Sequence, residues 1–206
     1  MTMDKRQVLK SVLATAMGMA GVGLLAGCNR ETKASFQGVD VTGAEYARDF
    51  ALPDATGQQR SLKDFAGKVV VVFFGYTQCP DVCPTSLQEL AEVKKLLGAD
   101  GERLQGIFVT LDPERDQPEM LKAYMESFDP SFVALRGTPE QTAAIAKDFK
   151  IFYKKVEGPT PQSYTLDHSA GSYVYDTAGR LRIYQRYGSG PQVLAGDVRT
   201  LLGEKA

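Results

Sequence analysis

Lys68 opens an unbroken apolar run, Val69-Val70-Val71-Val72-Phe73-Phe74, that stops at Gly75. The run has strand length and no polar alternation, so neither face is left for water, and it predicts a central strand covered on both sides. Leu104 to Leu111 reads as a second strand of the same kind. Between the two, Gly75 to Pro84 is a loop, and Leu87 to Leu97 carries helical spacing through Leu87, Leu90, Ala91, Val93 and Leu97. Pro118 to Phe128 predicts a helix with proline in its first turn. Phe132 to Leu135 predicts a short strand, and Thr138 to Phe149 a further helix. Ser172 to Tyr175 and Leu181 to Tyr187 pair across Asp176-Thr177-Ala178-Gly179, and Val193 to Leu202 is a closing helix. The tyrosines at 173, 175, 184 and 187 read as packing within that hairpin. Upstream, Phe50 to Pro53 and Arg60 to Leu62 flank Asp54-Ala55-Thr56-Gly57 as an N-terminal β-hairpin extension. The whole is α/β, a mixed sheet flanked by helices.

Composition narrows the class. A chain of 206 residues with 43% apolar content can bury a core without disulfide staples. A net charge of −1 removes the basic field that a nucleic-acid partner requires. Three cysteines and one histidine are too few for a disulfide scaffold or a zinc-finger array. At the N-terminus Lys5, Arg6 and Lys10 precede an uncharged run, Ser11 to Gly27, which has the form of an export signal. Leu25-Ala26-Gly27-Cys28 resembles a bacterial lipobox. On that reading residues 1–27 are a lipoprotein signal peptide, Cys28 is lipidated, residues 28–43 are a tether, and residues 44–206 form the domain. The chain is then held to a membrane of the bacterial cell envelope by its lipid, facing the periplasm or extracytoplasmic space, and Cys79 and Cys83 are left as a pair where disulfides persist.

Cys79 and Cys83 stand in the loop between the first central strand and the first long helix, where sites in such sheets form. With Pro84 at the first helical position, Cys83 lies near the cap, where a helix N-terminus favours thiolate. The Cys-x-x-x-Cys spacing allows a metal between two sulfurs and equally a disulfide, so a structural bridge is the competing reading. His168 is the only imidazole. Two thiolates and an imidazole suit copper or zinc and exclude magnesium and calcium. Three ligands also leave an open position, and no His-Glu-x-x-His zinc motif is present.

The element order is similar to that of thioredoxin-like proteins. Gly75-Tyr76-Thr77, Cys79-Pro80-Asp81, Cys83-Pro84, Thr110-Leu111-Asp112-Pro113-Glu114-Arg115-Asp116 and Asp167-His168-Ser169 resemble the SCO/SenC family over Phe50 to Leu202. That family consists of membrane-tethered, thioredoxin-like copper proteins assisting cytochrome c oxidase assembly. The resemblance implies copper, as Cu(I) or Cu(II), on Cys79, Cys83 and His168. It implies delivery to the binuclear copper site in the copper-bearing subunit of the oxidase, with other periplasmic copper chaperones as further partners. A metallochaperone rather than an enzyme is expected, so no catalytic residue is assigned. The alternatives are a thiol–disulfide reductase using Cys79 and Cys83 as its redox-active pair, and a copper or redox sensor. Asp167 is expected to hydrogen-bond the imidazole. Asp112, Glu114, Arg115 and Asp116 read as a solvated loop capping the next helix, with a structural or partner-facing role.

Overall fold

The computed structural model describes residues 35–160 and 163–204. The expected signal peptide and lipobox, with Cys28, lie outside the described residues. Strands β1 (Val39–Asp40), β2 (Leu52–Pro53) and β3 (Gln59–Arg60) precede β4 (Val69–Gly75) and helix α1 (Val82–Leu96). Then follow β5 (Leu104–Thr110), α2 (Pro118–Glu126), β6 (Val133–Leu135) and α3 (Pro139–Asp148). The chain closes with β7 (Tyr153–Val156), β8 (Thr165–His168), β9 (Ser172–Tyr175), β10 (Leu181–Gln185) and α4 (Pro191–Gly203).

The main sheet runs β1-β10-β9-β4-β5-β6. Every residue of β4 and of β5 is buried, as the apolar run requires. β4 runs parallel to β5 and antiparallel to β9, with Phe73 opposite Phe108 on one side and Ser172 on the other. This register positions the site. The carboxyl end of β4, which leads to the cysteines, and the start of β9, which His168 precedes, share one end of the sheet.

Two readings are corrected, and one pair of strands is added. Residues 37–40 are not tether: β1 pairs with β10, and the Gln37 and Gly38 amides donate to the buried Asp197 carboxylate at 2.8 Å each. A two-residue edge strand carries no periodicity to read. Helix α1 starts at Val82 with Asp81 as its cap, so Cys83 and Pro84 both lie within the first turn. Proline is tolerated there because those amides have no partner inside the helix. Tyr153–Val156 and Thr165–His168, given no element by the sequence pattern, pair as β7 and β8 in a separate two-stranded sheet that ends on His168. The predicted β2–β3 hairpin is present, though shorter, and Tyr173 and Tyr184 do pack edge to face, 5.4 Å between centroids. Tyr187 lies beyond β10 and is exposed. Among the described residues no helix is long and apolar enough to cross a membrane.

Candidate metal centre

Gly75 closes β4, and the absence of its side chain makes room for the site. A Cβ built there would stand 2.6 Å from Cys83 Sγ and 2.9 Å from the Phe108 ring. Cys83, on the first turn of α1, is fully buried in this space, while Cys79 sits half-buried in a turn closed by its amide donating to the Tyr76 carbonyl. The third group arrives on β8. His168 Nε2 lies 3.5 Å from Cys83 Sγ, and the ring stands edge-on to Phe73 and Tyr76. One ligand atom from each of Cys79, Cys83 and His168 lies within 4.8 Å of the others.

The ring's second nitrogen settles its tautomer. Nδ1 lies 2.9 Å from the backbone carbonyl of Ser169, which can only accept, so the proton is on Nδ1 and the Nε2 lone pair faces the sulfurs. The expected partner Asp167 does not make this contact. It is exposed, because neighbouring residues of a strand face opposite ways.

The two thiols share a proton unequally. The Cys83 hydrogen bond to Cys79, helped against burial by the amides of Asp81 and Cys83, lowers the Cys79 pKa to about 4. The same hydrogen bond, together with burial, pushes Cys83 far up. The resting pair is therefore a thiolate at 79 and a thiol at 83.

The acidic cluster is solvated only in part. Asp116 is fully buried and accepts from the Thr77 amide at 3.1 Å and from the hydroxyls of Thr77 and Thr110. Burial nevertheless raises its pKa above the usual carboxylate range. It holds the loop entering Cys79. Asp112 is buried too, while Glu114 faces water as expected. The roles of Gly75 and Asp116 were missed by sequence reasoning, although both lie in the motifs that carry the resemblance.

Residues 39–203 match the SCO1/SenC family model. The chain belongs to the SCO1/SenC family. An SCO2-like protein of Rickettsia felis is 37% identical over 133 residues, covering 64% of this chain and 65% of the relative. The chain thus spans just under two thirds of the length of that relative. The mitochondrial SCO2 homologue of Homo sapiens is 33% identical over 153 residues, covering 73% of this chain and 58% of its own. Among solved structures, copper-bound ScoI of Bradyrhizobium japonicum is 38% identical with a TM-score of 0.67, covering 74% of this chain and 97% of that one. Apo Sco1 of Thermus thermophilus is 37% identical with a TM-score of 0.72, covering 82% of this chain and 99% of that one. The thioredoxin-like fold expected from the element order is the fold of these family members.

Proposed function

We propose that the chain carries copper as cargo, held by Cys79, Cys83 and His168, and passes it to the copper-bearing subunit of cytochrome c oxidase. The observation that carries this reading is the convergence of one imidazole and two sulfur atoms within 4.8 Å. The donor set fits the ion: thiolates suit Cu(I), and the imidazole adds what Cu(II) prefers. A relative 38% identical to this chain has been solved with copper bound, which supports it. The chain's own residues divide the work. Cys79, already a thiolate and half-exposed, meets the incoming ion, and Cys83 gives up its proton as it ligates. Ser169 keeps Nε2 free for the metal. With three protein donors a position stays open for a receiving ligand, as transfer requires.

The delivery is set at the bacterial cell envelope, with Cys28 lipidated and the domain facing the periplasm, where other copper chaperones would load it. Four consecutive features of an exported lipoprotein support this: the basic start, the uncharged run, the small residues and Cys28.

A second reading, thiol–disulfide reductase for the oxidase cysteines, is favoured by the Cys79 thiolate backed by a proton-bearing Cys83. Oxidase activity and membrane copper in cells separate the two. The carrier reading expects both His168→Ala and Cys79→Ser to lose oxidase assembly. A His168→Ala strain like wild type beside a dead Cys79→Ser strain would replace it with the reductase.

A further inference from the structure

The donors stand on separate pieces of chain, Cys79 on the loop leaving β4 and His168 on the β7–β8 hairpin. That hairpin is a two-stranded sheet of its own, with most of its residues exposed. Such a ribbon is marginal alone, so its place on the domain depends on side chains that tie it down.

The Arg115 side chain reaches both pieces. Arg115 Nη1 donates to Gln78 Oε1 at 3.2 Å, beside Cys79, and to the Tyr164 carbonyl at 2.8 Å, just before β8. Its Nε donates to one oxygen of the Asp112 carboxylate, and the other oxygen accepts from the Tyr164 hydroxyl at 2.7 Å. The guanidinium carbon also lies 3.5 Å from the Tyr164 ring centroid and 5.8 Å from that of Tyr76. A planar fork with several fixed donors can hold these partners at once; a lysine ammonium has no such geometry.

We infer that Arg115 is a positioning residue that fixes the His168 hairpin against the cysteine loop, so that the imidazole stands within ligand distance of the sulfurs. This rests on the three-ligand reading above. Cu(II), which gains most from a nitrogen donor, then depends on Arg115, whereas Cu(I) on two thiolates depends on it little.

The test uses the full-length chain as wild type, Arg115→Lys, His168→Ala and the double variant, titrated with each copper ion under a competing chelator. Arg115→Lys is expected to weaken Cu(II) at least tenfold and Cu(I) less than threefold. It should add nothing in the His168→Ala background, because a residue acting through His168 has nothing left to position. In the metal-free protein, diethylpyrocarbonate should modify the single histidine faster in Arg115→Lys than in wild type. Should Arg115→Lys misfold, Asp112→Asn with Arg115→Met removes both members of the ion pair and is read the same way. Wild-type Cu(II) affinity and histidine reactivity in a folded Arg115 variant would overturn the inference. So would equal losses of the two ions, or a loss that adds to that of His168→Ala. If His168→Ala alone leaves Cu(II) binding intact, the three-ligand reading fails and takes the inference with it.

Discussion

Gly75 and the Cys83 sulfur occupy one space: a methyl on Gly75 would stand 2.6 Å from Sγ. The strand end and the helix start therefore meet only because residue 75 has no side chain. Gly75→Ala must push α1 or the Phe108 ring aside, and overpacking of this kind costs about 2 kcal/mol. The loss should appear as a lower thermal midpoint, and copper affinity should fall as well, because Cys83 moves. Wild-type stability and copper affinity in Gly75→Ala would show that the contact has slack.

The proton shared by the cysteines gives a second expectation. Because the Cys83 hydrogen bond and neighbouring amides hold Cys79 at about 4, Cys79 is fully thiolate throughout the neutral range. Its alkylation by iodoacetamide should be flat between about pH 6 and 8, where an ordinary thiol of pKa ~8.5 gains close to tenfold per unit. Mass spectrometry should find the label on Cys79, with the buried Cys83 spared. A rate climbing tenfold per unit would mean that the thiol pair does not share its proton in this way.

What the sequence makes legible follows from how each feature is encoded. β4 announces itself because burial on both faces demands an uninterrupted apolar run, and the two cysteines and the histidine stand out by donor chemistry alone. The β7–β8 hairpin does not, because Tyr153-Lys154-Lys155-Val156 and Thr165-Leu166-Asp167-His168 are largely exposed and carry little apolar alternation. Asp116 looks like one more surface charge until the fold supplies the Thr77 and Thr110 donors that make its burial tolerable. The acceptor that orients His168 is a backbone carbonyl, which no side-chain pattern records.

Asp176 links stability to pH. Burial alone would raise its pKa, but hydrogen bonds from the Arg180 amide and from the Arg182 and Arg180 guanidiniums hold it below the usual carboxylate range. A carboxylate depressed in the folded state stabilises fully above its unfolded pKa of ~3.9 and loses that contribution as pH falls through the folded value. Asp176→Asn leaves Arg182 without this partner and should cost about 3 kcal/mol at pH 7. The penalty relative to wild type should shrink as the buffer is taken below about pH 4. Urea midpoints across that range measure it, and a penalty independent of pH would assign the loss to packing alone.

The anchor is open to a direct test. Cys28→Ser should leave the precursor uncleaved by the lipoprotein peptidase and without lipid, while the domain still folds. Mass spectrometry of the membrane-extracted wild type decides the matter, and a mature chain with an unmodified Cys28 would end the lipoprotein reading.

Copper uptake should also be gated by the redox state of the pair. Joining Cys79 Sγ to Cys83 Sγ takes two electrons to an oxidant and releases the one proton that the thiolate–thiol pair holds at neutral pH. It consumes both sulfur lone pairs that a metal would use as thiolate. What remains is a single imidazole, too little to hold Cu(I) against a chelator. The oxidised domain should therefore take up almost no Cu(I), and treatment with a phosphine reductant should restore one ion per chain. The reduced protein should at the same time release a proton on loading, because Cys83 enters the complex as thiolate. Unbuffered titration and metal analysis read both quantities in one experiment. Tight uptake by the oxidised form would locate the copper away from the cysteine pair, and uptake by the reduced form without proton release would leave Cys83 outside the ligand set.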